Sequence, residues 1–303
     1  MASPLPEVYR RRVQARRRQE AGSRARQAYG ARLAATAPNR ELLAQAEDIP
    51  YLEWRDFEPM LAAELEGGEH VSIFASTGDG KTHLIRWGLL PFYRRDPVLI
   101  LDVKRDRGTL RGCGTRVQRF PSWLQLQKYR NRRLDSEAWE RDPEVWRLCP
   151  PLYRWSGRGA SREREQARLV VGQSIDRVLH EGGWVLVADD ATLITDPRPP
   201  GLDLGAPMRA AWKMGRDRPL TVIAATQQPA GVPTEMYDQA THIFLGGTDD
   251  ERRHERLAEI GGNRRLLQLV VATLNEKEFL YVHGRRRQGQ RAMAVVVAPP
   301  ART

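Results

Sequence analysis

Apolar residues recur along this chain in two rhythms, and the alternation between them predicts the architecture. From Glu53 to Leu65, the residues Trp54, Phe57, Met60, Leu61 and Leu65 fall at helical spacing, so an amphipathic helix leads into the core. His70–Phe74 is a short β-rich run, Lys81 to Leu90 reads as a helix, Pro97 to Leu101 as a second strand, and Arg162 to His180 as a long helix. Trp184–Ala188, Leu220–Ala225 and Thr241–Leu245 are three further apolar runs of strand length. Continuously apolar strands separated by helices predict an α/β fold, a parallel sheet with helices on both faces. The stretch at about 105–161 is rich in Arg, Trp and Pro, has weak periodicity, and reads as an irregular insertion of short helices and loops. The chain thus divides into an arm at 1–48, one main domain at 49–298 carrying that insertion, and a tail at 299–303. No internal repeat is visible.

Charge adds a partner to this picture. The formal net charge of +11 favours a polyanion, because clustered cations release counterions from a phosphate backbone. Ten arginines (Arg10, Arg11, Arg12, Arg16, Arg17, Arg18, Arg24, Arg26, Arg32 and Arg40) face only Glu7 and Glu20 across residues 1–40, which reads as a basic helical arm. Such a run suits a solvated tail, a DNA contact or an acidic protein partner. Cys113 and Cys149 are too few for a disulfide framework, and the six histidines show no zinc-type pairing, so a reducing cytoplasm without structural metal is expected. Apolar runs such as Pro97–Leu101 and Leu269–Ala272 are far shorter than the roughly 20 residues that span a bilayer, so no membrane segment is expected.

The candidate chemistry sits at strand ends. The run at 70–74 passes directly into Ala75-Ser76-Thr77-Gly78-Asp79-Gly80-Lys81-Thr82, and a helix follows. That order wraps backbone N–H groups around phosphates at the positive end of a helix dipole. Gly78 and Gly80 permit the tight backbone, Lys81 reaches the β- and γ-phosphates of ATP, and Thr82 ligates Mg²⁺. Ala75 stands where Gly is usual. Trp184–Ala188 ends in Asp189 and Asp190, and adjacent acids closing a buried strand fit a cation better than a core. Asp189 is the metal-side carboxylate and Asp190 the candidate general base, although two acids capping the next helix would leave the same pattern. A third strand ends in Thr226-Gln227-Gln228-Pro229, where Gln227 is placed to hold the attacking water or sense the γ-phosphate. Just upstream, Arg216 or Arg218 is a candidate arginine finger reaching a neighbouring subunit's nucleotide.

Together these residues resemble the HerA–FtsK superfamily of P-loop ATPases, over residues of about 68–250. Leu101-Asp102-Val103-Lys104 is similar to that family's Asp-Pro-Lys segment, Asp189-Asp190 to its second acidic motif, and Gly215-Arg216 with Ala225-Thr226-Gln227-Gln228-Pro229 to its Gly-Arg and Ala-Thr-Gln-x-Pro segments. The resemblance implies a RecA/ASCE-like P-loop NTPase fold and an ATP- and Mg²⁺-dependent motor that translocates double-stranded DNA. It also implies a homo-oligomeric ring, a hexamer, with ATP between subunits. Viral or phage genome packaging is the favoured role, with residues 1–40 docking on a capsid vertex and a virion-associated place beside the cytoplasmic one. Plasmid transfer or maintenance, and a nucleotide-dependent assembly switch, are the alternatives.

Overall fold

The computed structural model describes residues 7–65, 68–104, 110, 113, 115–117, 145–150, 159–228, 231–248, 260, 263–284 and 292–300. Pro229, most of the stretch at 105–161 and residues 301–303 lie outside the described residues.

Helices α1 (Glu7–Thr36) and α2 (Arg40–Glu47) precede β1 (Tyr51–Glu53) and α3 (Trp54–Ala62). β2 (Val71–Phe74) feeds the glycine-rich loop. The helix beyond that loop starts as α4 (Lys81–His83), widens to a π-helix over Leu84–Leu89 and tightens to a 3₁₀ turn over Leu90–Tyr93. Pro91, which lacks an N–H, stands in that turn and stops the ladder. Then come β3 (Val98–Leu101), β4 (Thr115–Val117), β5 (Val145–Leu148), α5 (Ala160–Glu181) and β6 (Val185–Ala188). α6 (Ala191–Thr195), α7 (Gly205–Met214), β7 (Thr221–Thr226), α8 (Glu235–Asp238) and β8 (His242–Gly246) follow. α9 (Arg264–Thr273), β9 (Glu278–His283) and β10 (Met293–Val297) complete the described order.

Among the described residues the strands form one sheet of ten in the order β1-β10-β9-β8-β2-β7-β6-β3-β5-β4. Every neighbouring pair is parallel except those of β9, which runs antiparallel to both β8 and β10. Alternate residues of each central strand face opposite layers, as the pleat requires. Leu99, Leu101, Leu186, Val222 and Ile243 pack with α1, α2, α5, α7 and α9 on one face. Val98, Ile100, Val187, Ile223 and Phe244 pack with α3 and the loop helix on the other. Both faces are therefore covered, as the unbroken apolar runs implied.

Three expectations change. The stretch read as an insertion contributes β5, paired with β3, and β4 beyond it, so it extends the sheet. Its strand was hidden because Arg147 interrupts the apolar run of β5; that arginine is buried, ion-paired to Asp102 at 3.8 Å, and donates to the Leu110 carbonyl at 3.1 Å. The supposed arm at 1–48 joins the core from Ala25 onward: Tyr29, Leu33, Leu42 and Ala46 are buried in the same cluster as α9. Met60, counted with the apolar face of α3, is 58% exposed, because Trp54, Phe57 and Leu61 already fill the seam against the sheet.

Candidate functional site

The glycine-rich loop leaves the carboxyl end of β2 and is pinned at its start by the Ala75 N–H, which donates to the Thr226 carbonyl of β7 at 3.2 Å. Gly78 and Gly80 both adopt left-handed backbone, φ +93° and +91°, where a side chain would be strained. Asp79 Oδ2 accepts the Ser76 N–H at 2.6 Å and closes the turn. The departure at Ala75 has a structural complement in β8: a Cβ on Gly246 would stand 2.4 Å from the Ala75 Cβ, so the glycine makes room for the methyl. Lys81 is buried, and its Nζ donates to the Ala75 and Ser76 carbonyls at 2.9 and 2.5 Å. Burial pushes its pKa down to about 8, against the opposing pull of Asp79 and Asp189.

The acidic pair arrives from β6, two strands away, with β7 between. Thr82 Oγ1 donates to Asp189 Oδ1 at 2.9 Å, also lying 3.2 Å from Oδ2. Burial raises the Asp189 pKa, while the Thr82 hydroxyl and Lys104 work to lower it. Asp190 serves two structural partners. Its Oδ1 accepts the Leu193 N–H at 3.3 Å, capping α6, and its Oδ2 is ion-paired with Lys104. The capping reading of the acids is thus true of Asp190 and not of Asp189. From β7, Gln227 Oε1 accepts the Thr77 hydroxyl at 2.7 Å, so the residue after Thr226 sits on the loop itself.

These side chains border one cleft of about 270 Å³, lined by Thr77, Lys81, Thr82, Lys104, Asp189 and Gln227 among others. Arg216 is not brought there. It lies at the amino end of the strands, 3.9 Å from Glu69 and donating to the Thr241 hydroxyl at 2.9 Å and the Gln239 carbonyl at 3.3 Å. Arg218, at the same end, donates to the His180 carbonyl at 3.2 Å. Three cleft residues, His83, Lys104 and Lys277, were not singled out from sequence as site residues in their own right. Lys104 sat within a recognisable segment but carried no role; Lys277, from the turn before β9, had no local signal beyond one charged residue among many.

A divalent cation fits this donor set. Burial destabilises the charged form of Asp189 even with the Thr82 hydroxyl donating to it, and a cation between the two would relieve that cost. Mg²⁺ needs only one or two protein oxygens when phosphates and water complete its shell, and Thr82 and Asp189 could supply those two.

No protein-family model matches the chain, and no curated protein matches its sequence. Several solved structures share its fold. VirB4 of Thermoanaerobacter pseudethanolicus superposes with a TM-score of 0.53 at 15% identity, covering 76% of this chain and 90% of its own. The genome packaging NTPase B204 from Sulfolobus turreted icosahedral virus 2, in complex with ATP-gammaS, gives 0.51 at 14%, covering 77% of this chain and 100% of its own. The bacterial conjugative coupling protein TrwBdeltaN70 gives 0.51 at 11%, covering 83% and 93%. At these identities the likeness concerns the fold, and the chain has the P-loop NTPase α/β fold that its strand, loop and helix order implied.

Proposed function

We propose that this chain is an ATP-hydrolysing DNA translocase of the HerA–FtsK type. The observation that carries the reading is the convergence of three adjacent strand ends on one cleft: β2 delivers Lys81 and Thr82, β7 delivers Gln227, and β6 delivers Asp189, with Asp190 next to it tied to the cleft residue Lys104. In this reading the loop N–H groups and Lys81 hold the β- and γ-phosphates, with Lys81 exchanging the Ala75 and Ser76 carbonyls for phosphate oxygens. Thr82 and Asp189 would hold Mg²⁺, which supplies charge neutralisation at the transferring phosphoryl group. Asp190 takes the proton of the attacking water, and Gln227 orients that water from the loop side.

The charge of +11 supports double-stranded DNA as the partner. Viral genome packaging is the favoured setting, on the fold likeness to the packaging NTPase, with plasmid transfer supported by the likeness to the conjugative coupling protein. The working form is a homo-oligomeric ring, a hexamer, in which Arg216 acts on a neighbour's nucleotide; its place at the far end of the sheet from Lys81 suits action between copies. A capsid vertex would engage residues before Ala25, since the later part of α1 is packed on the core. The test is ATPase activity stimulated by double-stranded DNA and lost in Lys81→Ala. Hydrolysis indifferent to DNA at low and moderate salt would remove translocation and leave the ATPase.

A further inference from the structure

We infer that Lys277 is a second nucleotide-binding lysine, contacting the α/β-phosphate side of a bound nucleoside di- or triphosphate. The inference rests on the nucleotide reading of the cleft proposed above.

Lys277 is far from the glycine-rich loop in sequence, yet the fold seats it there from both sides. Its backbone N–H donates to the Asp79 carbonyl at 3.2 Å, and its own carbonyl accepts the Ala298 N–H at 2.8 Å. A Cβ on Gly80 would lie 3.0 Å from Lys277 Cγ, so the lysine stem rests on the residue that opens α4. The side chain is 47% exposed, 3.6 Å from Glu276, and borders the cleft beside Gly80, Lys81 and His83. Its backbone is left-handed, φ +65°, a conformation in which Gly or Asn is the ordinary choice. A lysine held there against that preference, facing a phosphate-shaped loop, is better explained by its ammonium group than by the turn.

The turn is also anchored from behind. Glu278 Oε2 accepts the Asn275 N–H at 2.8 Å and is ion-paired with Arg32 at 2.5 Å, its Oε1 accepts the Tyr51 hydroxyl at 2.9 Å, and Arg32 Nε donates to the Thr273 carbonyl at 2.6 Å. Placement within the cleft identifies the phosphates concerned. Lys104 pairs with Asp190, and Gln227 holds Thr77, so these two mark the side of the terminal phosphate. Lys277 lies instead against Gly80, at the start of α4, on the part of the loop whose N–H groups cradle the α- and β-phosphates of a bound nucleotide.

Calorimetric titration of ATP and ADP with Mg²⁺ into the whole chain tests this. Lys277→Gly removes the cation and suits the left-handed backbone, so it should melt no lower than the parent. It should nevertheless weaken ATP and ADP alike by about tenfold, the scale of one charged hydrogen bond. Lys277→Arg should recover most of the affinity. Unaltered ADP and ATP affinity in Lys277→Gly, while Lys81→Ala loses binding, would overturn the role of Lys277 and keep the nucleotide site. Absence of nucleotide binding by the parent chain would overturn both.

Discussion

Lys104 Nζ and the Asp190 carboxylate form an ion pair that joins the segment after β3 to the segment after β6 across the rim of the cleft. The same carboxylate caps α6 through Leu193, so Asp190 is held by the fold on one oxygen and by an exchangeable side chain on the other. In the proposed role as base, Asp190 has its direction set by the cap, and the oxygen paired with Lys104 is the one that would take the proton.

Those two duties can be separated by substitution. Asn caps a helix as well as Asp does, so Asp190→Asn should melt close to the parent and bind ATP normally. Its kcat should fall by about 10²-fold or more, the usual worth of a positioned base. Asp190→Ala should lose the same activity and in addition about 1 kcal/mol of stability with the cap. Steady-state ATPase rates alongside thermal melts would check both; an active Asp190→Asn would leave Asp190 with only its structural duty.

Lys81 makes the site pH-dependent. Burial sets its folded pKa near 8, below the 10.5 of a free lysine. Between these values the unfolded chain binds more protons, so this residue's contribution to the stability of the nucleotide-free protein rises with pH across that window and is lost as pH falls through about 8. Phosphate binding requires the ammonium form and runs the other way. The upward shift in melting temperature caused by ATP should therefore be larger at pH 7.5 than at pH 9.5. Lys81→Met should abolish the shift at both.

What was legible in the sequence was whatever chemistry lies in consecutive residues. Ala75 to Thr82, Asp189-Asp190 and Thr226-Gln227 each follow an apolar run, and a parallel sheet must bring the carboxyl ends of such strands to one edge. Relations between distant residues were not legible. The Lys104–Asp190 pair, the seating of Lys277 on Gly80 and the match of Gly246 to Ala75 each join segments well apart in the chain. β5 escaped because its charge, Arg147, is neutralised by Asp102, a residue of another strand end. α1 read as an arm because its arginines outnumber the few apolar residues, Tyr29 and Leu33, that fix it to the core.

Gln227 should act on turnover and not on affinity. Its amide oxygen accepts the Thr77 hydroxyl, so in the proposed role the amide N–H groups are the part that would meet the attacking water. Gln227→Ala should lower kcat with ATP affinity within about twofold of the parent, since no phosphate contact is lost. Thr77→Val, which removes the donor that orients the amide, should reproduce part of that loss. Loss of affinity in place of turnover would make Gln227 a phosphate ligand.

The buried end of α1 decides how its basic portion can be tested. Leu33 and Tyr29 are 1% and 3% exposed, and Leu33→Ala should cost about 2–5 kcal/mol, as emptying a packed leucine site does. Deleting residues 1–40 would therefore unfold part of the domain and could not report on DNA or a partner. Deleting 2–19 keeps Gly22, which lies against Glu53, and Ala25, the first apolar residue of α1 packed on the core, and should leave the melting temperature and the DNA-free ATPase rate unchanged. If the arginines of that segment hold DNA, the truncation should lose stimulation by double-stranded DNA and flatten the salt dependence of binding, because fewer phosphates are neutralised. Stimulation that survives the truncation would assign DNA to the sheet domain and free the segment for a protein partner.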